Sequence, residues 1–65
     1  MDTLYLVVGD QYEWEDMKIF EYKDHAIEYS KKYPQIRIEL FKKNKKGTFL
    51  VPTYVYYQNG ILHGK

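Results

Sequence analysis

The fold is decided by the stretch QIRIELFKKNKKGTFLVPTYVYY, residues 35–57. Between Ile36 and Leu40 it alternates apolar and charged residues, which is the period-two pattern of a β-strand with one buried face. The Asn-Lys-Lys-Gly segment at 44–47 favours a type I turn followed by a left-handed glycine. Residues 48–57 are rich in β-branched and aromatic residues, so the chain is predicted to return as a second strand.

The turn also predicts the register of this hairpin. With a three-residue loop, Asn44 lies opposite Thr48. Each further pair lies one residue earlier in the first strand and one residue later in the second. One face then carries the pairs Ile36/Tyr56, Ile38/Tyr54, Leu40/Pro52 and Lys42/Leu50. The other face carries Arg37/Val55, Glu39/Thr53, Phe41/Val51 and Lys43/Phe49, with Tyr57 beyond them. Pro52 requires an edge position or a bulge, and a bulge there would shift this register.

The remaining segments predict one helix and up to three further strands. Residues 3–9 are nearly continuous in apolar residues, as in a central strand, and residues 17–22 alternate well enough for another strand. Asp24 is a suitable helix N-cap, and the helix should stop at Tyr33 because the following proline disfavours helical geometry there. The dipeptide at 59–60, Asn-Gly, is a type I′ hairpin signal that predicts a short last strand.

Together these elements predict an α+β fold in ββαββ(β) order, a small antiparallel sheet with one helix packed on one face. The predicted core consists of Ile27, Ile36, Ile38 and Leu40. One helix covers only one face of a small sheet, so the other face should remain open. Apolar groups that cluster in solvent usually mark an interaction site. We therefore predict a partner-binding surface made of Arg37, Phe41, Phe49, Val51, Val55 and Tyr57, beside Tyr5 and Val7 of the first strand.

Length and composition limit the class of protein. The chain has 65 residues, which we interpret as a single domain over 1–65. It has no cysteine, so disulfides and thiolate chemistry are excluded. A chain this short without disulfide bonds is expected inside the cell. No apolar run approaches the roughly 20 residues of a membrane span, so we expect a soluble cytoplasmic protein that does not bind membranes. The abundance of Tyr, Ile and Lys suggests an AT-rich genome, such as that of a phage or a large DNA virus, with action in the host cytoplasm or on the virion.

The charges are unevenly distributed along the chain. Residues 1–28 carry eight acidic and two basic side chains, whereas residues 29–65 carry one acidic and eight basic ones. Such halves either neutralise each other within the fold or orient a partner at the surface. The sequence leaves both interpretations open.

Four lysines flank the predicted hairpin turn, Lys42, Lys43, Lys45 and Lys46. Lysines at a hairpin tip ordinarily keep it solvated. They can also contact phosphates while neighbouring aromatic residues stack on unpaired bases, or they can bind another acidic partner. A small nucleic-acid-binding protein that uses this tip is therefore the alternative to a protein-binding module.

An acidic stretch surrounds two aromatic residues between the first two predicted strands. It lacks the Asp-x-Asp-x-Asp-Gly spacing and the distal glutamate of a calcium loop. Its plainest interpretation is a loop whose tryptophan packs on the core. The other is an acidic contact surface, or a surface that imitates nucleic-acid charge, made of Asp10, Glu13, Trp14, Glu15 and Asp16.

No set of residues in the sequence points to catalysis, a cofactor or a metal ion. His25 and His63 lack the partners that acid–base catalysis or zinc binding needs. Ser30, the only serine, falls within the predicted helix, where a small polar residue fits a packing seam. We therefore predict a non-catalytic protein–protein interaction or assembly module without a small-molecule substrate, whose partner is another protein or a second copy of the chain.

Overall fold

The architecture is a five-stranded antiparallel sheet with one α-helix against one of its faces. The computed structural model describes residues 2–9 and 13–64. In chain order the elements are β1 (Thr3–Val8), a 3-10 helix (Trp14–Asp16), β2 (Ile19–Phe20), α1 (Lys23–Lys32), β3 (Arg37–Lys43), β4 (Leu50–Gln58) and β5 (Ile61–His63). The strands lie in the order β2-β1-β3-β4-β5. This confirms the predicted small α+β fold with one helix on a sheet.

The core lies between α1 and one face of the sheet. Its buried apolar side chains are Tyr5, Val7, Ala26, Ile36, Ile38 and Tyr57. Ile27 and Leu40 are partly buried and pack against this cluster. The four predicted core residues therefore all contribute, with Ile36 and Ile38 at the centre and the other two at the margin.

The helix begins earlier than the sequence predicts. Its N-cap is Tyr22, whose backbone is extended (φ −112°, ψ 132°), so the predicted N-cap at Asp24 is wrong. Asp24 lies in the first turn instead, where the positive end of the helix dipole stabilises a carboxylate. The helix ends at Lys32, before Pro34, as predicted. Within the described ranges, no helix has the length and apolar character that crossing a membrane requires.

β2 is much shorter than the predicted strand over 17–22. Only Ile19–Phe20 pairs with β1. Met17 belongs to the preceding turn, because its N–H donates to the Trp14 carbonyl at 3.1 Å, and the Lys18 carbonyl accepts the Val7 N–H of β1 at 2.9 Å. The residues after it lead directly into the N-cap of α1 at Tyr22.

One buried hydroxyl ties the helix to the β4–β5 turn. Ser30 is fully buried, and its Oγ donates to the Ile27 carbonyl at 2.8 Å and accepts the Gly60 N–H at 2.8 Å. Asn59 and Gly60 have positive φ angles of 54° and 75°, as in the type I′ turn that this dipeptide predicts. The hydroxyl therefore satisfies a turn amide while it holds the last hairpin against α1.

The turn between β3 and β4 is one residue longer than predicted. The Asn44 side chain explains the difference, because its Oδ1 accepts the N–H groups of both Thr48 (2.8 Å) and Phe49 (3.3 Å). Thr48 is thereby kept in the turn, and the Asn44 N–H donates to the Phe49 carbonyl at 2.9 Å. Gly47 is left-handed as predicted, with φ 70°. Because β4 begins only at Leu50, the predicted pairing of Asn44 with Thr48 is wrong.

A bulge in β4 shifts the register a second time. The pairing passes from Phe41↔Pro52 directly to Glu39↔Tyr56, so β4 accommodates additional residues between these pairs. Proline has no N–H for the ladder, and a strand that contains it is therefore commonly bulged or at an edge. This is the condition under which the predicted register was expected to fail.

Thr53 stabilises the bulge through its hydroxyl group. The Oγ1 atom donates to the Leu40 carbonyl at 2.9 Å and accepts the Val55 N–H at 3.2 Å. Tyr54, which lies between Thr53 and Val55, has φ 65°, a left-handed conformation that is uncommon for a residue with a Cβ atom. The threonine thus provides local bonds where the ladder is interrupted.

The two shifts bring Tyr57 into the core. The longer turn moves the odd-numbered residues of β4 to the helix side of the sheet, because a one-residue slip exchanges the two faces of a strand. The bulge then brings Tyr57, rather than Val55, opposite Ile38. Tyr57 is 8% exposed, so its predicted place on the open face is wrong. Tyr5 and Val7, predicted beside that face, are likewise buried on the helix side.

Ile38→Ala should lower the free energy of unfolding by about 2–5 kcal/mol. The residue is fully buried and pairs with both β1 and β4, so truncation leaves a cavity at the centre of the core. Domains of this kind have a total stability of only about 5–15 kcal/mol, and thermal unfolding will report the loss. Ile61→Ala, at a site that is 59% exposed, is the matched control and should change little. Wild-type stability of the Ile38→Ala protein would place the core elsewhere.

Tyr5→Phe should reduce the sensitivity of the fold to alkaline pH. Burial raises the pKa of the Tyr5 phenol, and the neighbouring Tyr57 raises it further. The folded-state pKa thus lies above the unfolded value of about 10. The fold therefore keeps this contribution to its stability below about pH 10 and loses it as the pH rises through the folded-state pKa. Urea unfolding measured across this window should show a smaller decline for Tyr5→Phe than for the wild type. Parallel declines in the two proteins would contradict this linkage.

Candidate functional site

The sheet face opposite the helix carries its own apolar cluster. On β1, Leu4 and Leu6 alternate with buried core residues, so their side chains lie on the side away from α1. Leu4 pairs with Phe41, and Leu6 pairs with Ile19. Together with Leu50 these residues line a shallow hollow of about 120 Å³, called here the apolar depression. All five lining side chains are apolar.

The apolar depression is open to solvent. Ile19, on the short edge strand β2, is 61% exposed, and the other four lining residues are half-buried. The helix is on the opposite side of the sheet, where Tyr29 packs against Phe20 with ring centroids 5.3 Å apart. This face, called here the open face, is therefore accessible to another molecule.

Of the six predicted partner-binding residues, two lie on the open face and a third is exposed in the β3–β4 turn. Phe41 lines the apolar depression. Arg37 is exposed and lies on the same face, two residues before Glu39. Phe49 is 59% exposed, but it belongs to the β3–β4 turn rather than to the sheet. Phe41 is thus the one predicted residue that lines the apolar depression, and its neighbours there differ from the predicted ones.

The predicted places of Val51 and Val55 on the open face are wrong. Val51 pairs with Lys42, which alternates with Phe41 and so lies on the helix side. Val55 is two residues from the buried Tyr57 in the same strand and shares its side. Both errors follow from the additional residue in the β3–β4 turn, which exchanges the two faces of β4.

Sequence reasoning missed four residues of the apolar depression, Leu4, Leu6, Ile19 and Leu50. The β1 sequence TLYLVV is apolar on both faces, so alternation does not show which face meets the helix. A signal was nevertheless present. In a fold with one helix, a central strand that is apolar on both sides leaves one of its apolar faces uncovered.

Beside the apolar depression, the open face has a polar and aromatic cluster. Arg37 Nε lies 3.6 Å from Glu39 Oε2, and the guanidinium lies 5.3 Å from the centroid of the Tyr56 ring. Tyr56 in turn stacks on His63, with centroids 5.1 Å apart. Arg37–Glu39 is the one ion pair within residues 2–9 and 13–64. An exposed pair of this kind contributes about 0–1 kcal/mol, so it orients side chains more than it stabilises the fold.

The end of β3 and the turn that follows it present a group of exposed lysines, called here the lysine loop. Its members are Lys42, Lys43, Lys45 and Lys46. Lys43 pairs with Leu50, so positive charge borders the apolar depression. An open hollow of about 390 Å³ lies against the loop, with Asp2 as the carboxylate in its wall. Among the described residues, none of these lysines forms an ion pair.

The turn before β2 presents Trp14 to solvent. Trp14 is 88% exposed, so the interpretation that it packs on the core is wrong. The turn is held by local bonds instead: the Asp16 N–H donates to the Glu13 carbonyl at 3.0 Å, and the Glu13 N–H donates to Asp16 Oδ2 at 3.2 Å. Glu13, Glu15 and Asp16 are also exposed, and residues 13–16 are called here the acidic turn. Asp10, the fifth predicted member, lies outside the described residues.

The lysine loop and the acidic turn lie at opposite ends of the sheet. The lysine loop follows the end of β3 that lies beside Thr3, whereas the acidic turn follows the other end of β1, at Val8. Lys31 and Lys32, at the end of α1, also lie near the acidic end, since Arg37 pairs with Val8. Between residues that the structure describes, no ion pair joins the acidic and basic halves of the chain. Mutual neutralisation through ion pairs is therefore not observed.

The imidazole groups contact aromatic rings. His25 meets the Tyr22 ring edge-on at 5.5 Å, and His63 stacks on Tyr56. In the described ranges, no three His, Asp or Glu residues come together as metal ligands. The Ser30 hydroxyl is occupied by its bonds to the helix and the β4–β5 turn.

No protein-family model, curated protein or solved structure matches this chain. The fold and the site define a small α+β domain with one covered and one open sheet face.

Proposed function

We propose that this chain is a non-catalytic protein–protein interaction or assembly module that binds its partner through the open face. The observation that carries the proposal is the apolar depression, where five apolar side chains converge on the side of the sheet that α1 does not cover. Clustered apolar surface is typical of interaction sites, whereas single exposed apolar residues are not. The absence of cysteine suits an intracellular setting, and the composition suits an accessory protein of a phage or a large DNA virus.

Contacts within the apolar depression alone do not provide enough binding free energy for a stable complex. Complete burial of a Leu, Ile or Phe side chain contributes about 1.5–3 kcal/mol, and four of the five lining side chains are already half-buried. Association costs about 4–15 kcal/mol in lost freedom of motion. A partner must therefore gain further contacts beyond the depression, and Lys43, which pairs with Leu50, is accessible at its border. Charged groups at such a border mainly orient the partner and accelerate association.

A second candidate is nucleic-acid binding at the lysine loop. The observation that favours it is the exposure of Phe49 at the end of the same turn. Lysines of this kind contact phosphates, and an exposed ring stacks on an unpaired base with about 1–3 kcal/mol per base. This candidate uses the turn and leaves the apolar depression unexplained, so we place it second.

Ile19→Asp tests the proposed use of the open face. A carboxylate at the mouth of the apolar depression would be buried without a partner on binding, which is costly. We expect at least a tenfold loss of partner captured from extracts of the native host after nuclease treatment. Ile61→Asp is the matched control, because Ile61 is equally exposed and lies on the same face at the far edge. Equal losses in the two variants, or no loss in Ile19→Asp, would contradict binding at the depression.

Reversal of charge in the lysine loop separates the two candidates. With a protein partner, Lys45→Glu combined with Lys46→Glu should slow association and weaken its salt dependence while most of the affinity remains. With a nucleic acid, the same change should nearly abolish binding, and wild-type affinity should fall steeply as salt rises. Kinetic binding measurements at several salt concentrations distinguish these outcomes.

A further inference from the structure

We propose that the partner on the open face is a second copy of this chain, whose acidic turn inserts Trp14 into the apolar depression. The inference rests on the proposed function, because it requires the open face to bind protein. It specifies the occupant, the anchoring residue and the charges that align the two copies.

The acidic turn has the properties of an interface anchor. Trp14 is the only tryptophan in the chain and is 88% exposed. Tryptophan is among the residues most enriched at the energetic centres of interfaces, and an aromatic ring of this size buries about 150–250 Å². The bonds of the 3-10 helix, at 3.0–3.2 Å between Glu13 and Asp16, hold the backbone beneath the ring, so little freedom is lost on docking.

The apolar depression suits an indole ring. Its lining is wholly apolar and its volume is about 120 Å³, so it offers an apolar contact surface to the ring, while the shallow, open shape lets the indole N–H stay at the rim in contact with water. The Trp14 of the same chain does not line it and remains in solvent. The site is therefore free to take the tryptophan of another molecule.

The charges around the two surfaces are complementary. Trp14 is flanked by Glu13 and Glu15, and the apolar depression is bordered by Lys43, with the remainder of the lysine loop beyond it. In the described part of the chain, none of these groups forms an ion pair, whereas Glu39, the carboxylate that lies beside Leu6 of the depression, is paired with Arg37. Because the acidic turn and the lysine loop lie at opposite ends of the sheet, their charges can meet between copies rather than within one chain. Such complementarity sets orientation and suppresses the opposite arrangement.

An interface of this kind joins two different surfaces of the same chain. Each copy carries one anchor and one depression, so copies can associate head to tail or by reciprocal exchange. A symmetric contact of one open face with another would instead leave Trp14 in solvent. This difference makes the inference testable with the chain alone.

The fluorescence of Trp14 reports its burial directly, because no other tryptophan contributes. We expect the emission maximum to move to shorter wavelength as the protein concentration rises, in step with the mass measured by sedimentation. Association without a change in emission, or a chain that stays monomeric to millimolar concentration, would overturn the inference.

Mixing two defective variants tests the pairing of anchor and depression. Trp14→Ala removes the anchor, and Ile19→Asp introduces a charge into the depression. Each variant alone should self-associate at least tenfold more weakly than the wild type. Mixed together, they should form a 1:1 complex, because one intact anchor meets one intact depression. Ile61→Asp should associate as the wild type does. Undiminished association of Trp14→Ala, or a mixture no stronger than its components, would contradict the proposal.

A pair of charge reversals gives the same test without altering the apolar depression. One protein carries Lys45→Glu and Lys46→Glu, and the other carries Glu13→Lys and Glu15→Lys. Each alone should associate several-fold more slowly, because the first change removes much of the attraction between anchor and depression and the second gives them like charges. The mixture should recover the wild-type association rate, because the unchanged acidic turn of the first protein meets the unchanged lysine loop of the second. Failure to recover would overturn the inference even if Ile19→Asp were to unfold.

The failure of this inference can be distinguished from the failure of the proposed function. If the wild type is monomeric while Ile19→Asp still loses a captured host protein tenfold, the open face binds a different protein and only the self-association is wrong. If Ile19→Asp changes neither self-association nor capture, both are wrong.

Discussion

The side chain of Asn44 sets the register of the hairpin on which the rest of the structure depends. By accepting the amides of Thr48 and Phe49 at 2.8 and 3.3 Å, it keeps one more residue in the turn and exchanges the two faces of β4. The bulge after Pro52 then brings Tyr57 opposite Ile38, and the core closes around these two side chains. Had the ladder started one residue earlier, Tyr57 would lie outside and the helix would cover a different set of side chains.

In this arrangement, the open face of the sheet is more accessible to another molecule than its edge strands are. The edge strands β2 and β5 have only two and three residues, and short edges offer little backbone to another strand. Where β5 does not cover β4, Pro52 and the bulged Tyr54 interrupt its outer edge. The open face has no such protection, since one helix in a chain of this size covers only one side of the sheet. Its apolar depression is the place on this face where five apolar side chains meet at the surface.

The distribution of charge reinforces this interpretation. Opposite charges that formed ion pairs within the fold would be less available to a partner, but in the described ranges the only pair is Arg37–Glu39. The acidic turn and the lysine loop remain solvated at opposite ends of the sheet. Solvated charges of opposite sign at two ends of one small domain favour ordered contacts between molecules and are screened as salt rises.

Local chemistry was enough to predict the elements. Alternation over residues 36–40, the proline after the helix and the Asn-Gly turn each act through nearest neighbours, so the sequence by itself determined the α+β class, the order of elements and the positions of the turns. It also determined that one apolar face stays open. Which residues form that face was decided only by tertiary structure, because β1 is apolar on both sides and the Asn44 turn and the Pro52 bulge together set the pairing of β4. The exposure of Trp14 was also decided by tertiary structure, because other side chains already fill the core.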